Sequence, residues 1–143
     1  MDSESPLLQS YVAIKEYYPS GIATRSADSS KVCVPVGQEQ REYHRGRIRF
    51  LKEAQEVARF QSEPNIVSIY DYLEENDTAY MVMEYLHGCT LKQYIREHGG
   101  RLDTDHILHI CLSVLDALAV VHKAGMIHRD ISPENIFICE DLT

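Results

Sequence analysis

A chain of 143 residues is long enough for one domain, or for a piece of a larger one, and too short for two of full size. Its 14 Lys and Arg stand against 22 Asp and Glu, a formal net charge of −8, which argues against a nucleic-acid binder working through a broad basic surface. The 44% hydrophobic and 25% charged fractions exclude wholesale disorder.

In chain order, Tyr11-Val12-Ala13-Ile14-Lys15 is a β-branched and aromatic run that predicts a strand, stopped by Pro19-Ser20-Gly21. Residues 20–42 are rich in Ser, Gly, Asp and Gln and read as a loop or small hairpin with a β-like patch at Val32-Cys33-Val34. Residues 44–61 carry helical periodicity, with Phe50, Leu51, Ala54, Val57 and Ala58 on one side, and Pro64-Asn65 ends the element. Two strand-like segments follow, Ile66 to Tyr72 and Ala79 to Leu86, joined by the polar link Glu74-Glu75-Asn76-Asp77 as in an antiparallel hairpin.

Gly88 marks a change of character. A short helix from Leu91 to Glu97 leads to Gly99-Gly100. A long helix is predicted from about Thr104 to Lys123, with Asp103 or Thr104 as N-cap and Gly125 as its stop. Ile136-Phe137-Ile138 reads as a short strand. The stretch Ile107 to Val121 is interrupted by His109, Ser113 and Asp116, so it reads as a buried helix and not as a membrane span. The acidic start Met1-Asp2-Ser3-Glu4-Ser5 lacks the apolar region of a signal peptide. Four dispersed cysteines, Cys33, Cys89, Cys111 and Cys139, include no C-x-x-C pair, which disfavours zinc and suggests reduced thiols in a cytoplasmic protein.

The motifs carry the chemistry. His128-Arg129-Asp130-Ile131-Ser132-Pro133-Glu134-Asn135 fits the H-R-D-x-x-x-x-N catalytic loop, and Val12-Ala13-Ile14-Lys15 fits the V-A-I-K strand. On these residues the chain resembles the protein kinases, and within them the bacterial serine/threonine kinases of the eukaryotic type. Tyr80 to Leu86 resembles the hinge strand, and Pro64-Asn65-Ile66-Val67 the turn after the αC helix. The resemblance implies an α+β, bilobal kinase-like fold, incomplete here: residues 1–86 as part of the N-lobe and 87–143 as the start of the C-lobe.

It also implies ATP and Mg2+ as cofactors and a protein Ser or Thr hydroxyl as substrate, with no nucleic acid and no membrane span. Phosphoryl transfer needs a fixed cation on the phosphates, and that cation needs a carboxylate to hold it. Lys15 is the candidate cation. Glu53 lies roughly 80° from the centre of the apolar helix side and Glu56 roughly 140°, so Glu53 is the better partner and also matches the αC glutamate. By resemblance, Asp130 orients or accepts the proton of the attacking hydroxyl and Asn135 holds a magnesium ion. His128 is a scaffold residue, and Arg129 pairs with a phosphorylated activation loop. Met83 is the gatekeeper, the backbone of Glu84 and Leu86 bonds the adenine, and Ala13 lies beside the nucleotide. Cys89 falls near the lip of the nucleotide cleft.

Three departures from the pattern bear on activity. No glycine precedes Val12, so no G-x-G-x-x-G loop stands before the Lys15 strand. No D-F-G or A-P-E occurs, and Asp141 follows the last strand too closely to be the D-F-G aspartate. Ser132 stands where serine/threonine kinases usually carry a Lys. The expectation is a kinase-domain fragment inactive by itself, with an open sheet edge at Lys15, apolar surface on the long helix, and marginal folding alone. Two rival readings are a pseudokinase-like interaction module and a small-molecule kinase of the aminoglycoside type. The 20–42 segment is either a spacer or a docking surface.

Overall fold

The computed structural model describes residues 11–140. The acidic N-terminus and Asp141 lie outside the described residues. The chain divides into two compact units, one of residues 1–61 and 67–85 and a second of residues 62–66 and 86–143.

The first unit is built on an antiparallel sheet of three strands in the order β1-β5-β4: β1 is Val12–Glu16, β4 Ile69–Glu75 and β5 Thr78–Glu84. β4 and β5 are joined through Asn76 and Asp77, both at positive φ (53° and 57°), the two-residue turn whose twist suits a hairpin. The predicted strand starting at Ile66 begins three residues later, at Ile69, because Pro64-Asn65-Ile66 turn first, with the Ile66 N–H on the Glu63 carbonyl. β1 is an edge strand of this sheet, with Tyr11, Val12 and Ile14 exposed.

Helix α1, Gln38–Val57, runs into a 3-10 turn at Ala58–Phe60. It begins six residues before the predicted start. Gln38 to Glu42 are good helix formers but carry no apolar periodicity, so the pattern could not reveal them. Its apolar side is as the sequence suggests: Phe50 and Ala54 join Ile69, Ala79 and Met81 in one core, with Leu51, Val57 and Ala58 packed at its margin. Between β1 and α1, the expected small hairpin forms from β2, Thr24–Arg25, and β3, Val32–Cys33. It has its own core of Ala23, Val32 and Tyr43.

The second unit contains β6, Gly88–Thr90, helix α2, Leu91–Glu97, helix α3, Thr104–Lys123, and β7, Phe137–Cys139. Thr90 caps α2 through the Gln93 N–H, and Asp103 caps α3 through the His106 N–H at 2.9 Å. Gly125, at φ 80°, carries the chain out of α3. None of the residues of α3 is buried, which corrects the reading of a buried helix, while the exposed Ile107, Leu108, Leu112 and Leu115 are the apolar surface expected on the long helix. The elements that the apolar pattern anticipates are not among those packed on it. By length and composition α3 is also the one described helix that could cross a membrane.

Candidate active-site residues

The catalytic-loop residues belong to the second unit. β6 and β7 pair with Gly88 opposite Cys139 and Thr90 opposite Phe137, which closes residues 91–136 into a loop anchored at both ends. Gly88 is required there. Its φ is 147°, and a Cβ would sit 1.9 Å from the Ile138 carbonyl oxygen. The start of α2 grips the returning chain through the Leu91 N–H on the Ile136 carbonyl (2.8 Å) and the Lys92 N–H on the Pro133 carbonyl (3.0 Å). Lys92 Nζ also donates to Glu134 at 2.6 Å, and this bond holds the Glu134 carboxyl below the usual carboxylate range.

Within the loop, Asn135 Nδ2 donates to both the Asp130 carbonyl and Asp130 Oδ2, each at 3.0 Å. Arg129 adopts φ 66°, a left-handed conformation costly for a residue with a Cβ, and the Asp130 N–H reaches His128 Nδ1 at 3.2 Å. The Asn135 N–H bonds the Ser132 carbonyl at 3.0 Å. Asp130 and Asn135 are thus brought together, and both are exposed. Because the Asn135 amide nitrogen is committed to Asp130, its oxygen is the atom left to face a hard cation, which fits the oxygen donors magnesium takes. Among the described residues no group of three His, Cys, Asp or Glu clusters as a metal site. A magnesium ion here would draw its other ligands from phosphate and water.

The nucleotide-side residues belong to the first unit. In the β1–β5 ladder Ala13 stands opposite Met83, where its methyl group takes little room, and Lys15 stands opposite Met81. The Glu84 N–H is committed to the Ser68 carbonyl at 2.9 Å, while Glu84 Oε2 accepts from the Ser68 N–H at 3.3 Å. Leu86 follows as the first residue of the second unit's main segment.

Lys15 and Glu53 are not brought together. Lys15 Nζ lies 5.9 Å from the centre of the Phe50 ring, and Glu53 is exposed one turn further along α1. Ion pairs among the described residues include Glu16 with Arg25, Arg47 with Glu74, Lys52 with Glu56, Lys92 with Glu134 and Asp103 with His106. Sequence reasoning missed the β6 strand and the Lys92–Glu134 clamp. Gly88 beside a β-branched Thr90 was the one signal for the strand, and a pair 42 residues apart leaves no sequence signal.

An antiparallel sheet backed by one helix, followed by helices and a His-Arg-Asp loop closed by Asn135, defines an α+β protein of the kinase fold. Comparison with known proteins agrees. Residues 22–142 match the protein kinase domain family, and the chain belongs to that family. It is 47% identical over 90 residues to the serine/threonine-protein kinase PrkC of Bacillus subtilis, covering 63% of this chain and 14% of that protein. The chain therefore spans a small part of the curated relatives it matches. Among solved structures, the apo form of PpkA-294 matches with TM-score 0.84 and 33% identity, over 90% of this chain and 45% of that one. Rad53 1-466 in complex with AMP-PNP matches with TM-score 0.57 and 32% identity, over 64% of this chain and 24% of that one.

Proposed function

We propose that this chain carries the nucleotide-holding and catalytic-loop residues of a serine/threonine protein kinase that transfers a phosphoryl group from Mg-ATP to a protein hydroxyl. The observation that carries the reading is the paired Asp130 and Asn135, joined by two hydrogen bonds of 3.0 Å within a loop of the family's order. Asp130 takes the proton of the attacking Ser or Thr hydroxyl as its oxygen bonds the γ-phosphorus and the bond to ADP breaks. Asn135 offers its amide oxygen to magnesium, which supplies charge neutralisation on the phosphates. Lys15 holds those phosphates, and Glu53 holds Lys15 once the two meet. Ala13 and Met83 flank the adenine. The Glu84 contribution to the base falls to its carbonyl, since its N–H is already used, and Leu86 adds its own backbone groups.

Assayed as the 143-residue polypeptide, nucleotide binding without turnover is the expected activity, because these residues include no G-x-G-x-x-G and no D-F-G sequence. Dispersed cysteines with no C-x-x-C pair are the ground for a cytoplasmic location. A second reading, a non-catalytic interaction module, draws on the separation of Lys15 from Glu53 and on the exposed apolar residues of α3. Equilibrium binding of Mg-ATP separates the two: a kinase half-site binds it through Lys15, and an interaction module does not.

A further inference from the structure

The segment after Lys15 is tied to α1 at several points. Tyr17 continues the β1 ladder, its N–H on the Ala79 carbonyl at 2.9 Å and its carbonyl receiving Thr78 Oγ1 at 2.5 Å. Its ring packs between Tyr43 and Phe50, with centroids 5.2 and 5.7 Å away. Between those two aromatics, on the same helix side, stands Gly46. A Cβ there would meet Tyr17 Oη at 1.9 Å and Cζ at 2.8 Å. The ring therefore occupies a notch that the glycine leaves open, and an added Cβ would force the end of the ring to shift.

Lys15 and Tyr17 share one face of the strand, since side chains alternate. Lys15 lies over Phe50 and Tyr17 over Gly46, two strand residues against four helix residues. The spans agree: about 6.6 Å along the strand and about 6.0 Å along the helix. Lys15 and Tyr17 therefore meet α1 in step at Phe50 and Gly46, beside the core that Phe50 and Ala54 form with Ile69, Ala79 and Met81.

The 20–42 segment closes over the notch. Ala23, Val32 and Tyr43 form one core to which Tyr17, Ile22 and Val34 add. The Val32 N–H bonds the Asn76 carbonyl at 2.9 Å, and Tyr43 Oη donates to the Asp77 carbonyl at 2.9 Å, so hairpin and helix both fasten to the β4–β5 turn. Arg25 forms a two-pronged pair with Glu16 and donates through Nε to the Ser30 carbonyl. Arg47 reaches Glu74 at 3.5 Å.

We propose that Tyr17 and Gly46 form a register key that positions α1, and with it Glu53, against the Lys15 strand, and that the 20–42 segment is the clamp that keeps the key seated. The functional half of this statement rests on the kinase reading; the key itself does not. The test is amide hydrogen exchange of the 143-residue chain, with Mg-ATP affinity measured beside it, on Gly46→Ala, Tyr17→Ala, Tyr17→Phe and the double variant Gly46→Ala/Tyr17→Leu.

Gly46→Ala and Tyr17→Ala should speed exchange in α1 by about tenfold or more while β4 and β5 change less than about twofold. Tyr17→Phe should behave as the parent, since Tyr17 Oη makes no hydrogen bond among the described residues. The smaller Leu should relieve the Gly46→Ala clash and restore slow exchange in α1. Equal acceleration of helix and sheet, or failure of the double variant to recover, overturns the key. So does unchanged exchange. A parent chain that binds no Mg-ATP refutes the kinase reading, and the exchange data still judge the key. If the parent binds it, affinity should fall about fivefold or more in the two single alanine variants and recover in Tyr17→Phe; unchanged affinity overturns the positioning role.

Discussion

Thr78 offers a sharp test of how the sheet is held. It is wholly buried (0% exposed), and its hydroxyl donates to the Tyr17 carbonyl at 2.5 Å. Thr78→Val keeps the shape and removes the donor. The loss of the bond, with a half-buried carbonyl left without this donor, costs about 1–3 kcal/mol. The methyl that replaces the hydroxyl returns up to about 0.8 kcal/mol of apolar burial. A net destabilisation of about 1–2 kcal/mol follows, and for a chain of this size it lowers Tm by roughly 3–6 °C. Scanning calorimetry of the parent and variant reads this directly. An unchanged or raised Tm would mean that the Thr78 hydroxyl contributes nothing to the seat of Tyr17, and the reasoning would fall.

Three further predictions concern the second unit. Asn135→Ala removes both bonds to Asp130, so exchange across residues 130–135 should quicken, and magnesium should no longer strengthen ATP binding; an unchanged magnesium dependence in titrations would refute the role given to the amide oxygen. Gly88→Ala forces a Cβ against the Ile138 carbonyl and should cost about 2–4 kcal/mol, seen as lost protection of β7 amides. Asp103 caps α3, and the His106 backbone N–H, helped by the imidazole, holds its carboxyl below the usual 3.8. A depressed carboxylate contributes stability that is present above the unfolded value and lost as pH falls through the folded one. The first turn of α3 should therefore fray on acidification below about pH 4, an effect that NMR of the His106 amide detects and Asp103→Ala abolishes.

Much of the architecture was legible because it rests on local signals. Helices α2 and α3 fall where capping residues and glycines put them, with Asp103 and Gly125 as stated. The β4–β5 hairpin followed from a polar link between two strand-like runs, although the first strand moved by three residues and the limits of the second by one and two. The start of α1 was hidden because its first turns are polar on all sides, and the pairing of β6 with β7 joins residues about 50 positions apart. The candidate site divides in the same way. Asp130 and Asn135 are five residues apart, so one loop sets their geometry. Lys15 and Glu53 are far apart in sequence, and their separation depends on the seat of Tyr17 in the Gly46 notch, which no periodicity encodes. Exposed apolar surface on α3 was legible too, since the pattern reports what the helix needs and the sequence offers too few later elements to cover it.

On the kinase reading, Lys15 and the catalytic loop serve a nucleotide. Isothermal titration of the 143-residue chain with Mg-ATP, beside Lys15→Ala, tests it most directly. Saturable binding by the parent is expected, with a loss of about tenfold or more in the variant, the scale of one charge-assisted contact to phosphate. Absence of binding by a parent chain shown to be folded, or equal affinity in the two proteins, would contradict it.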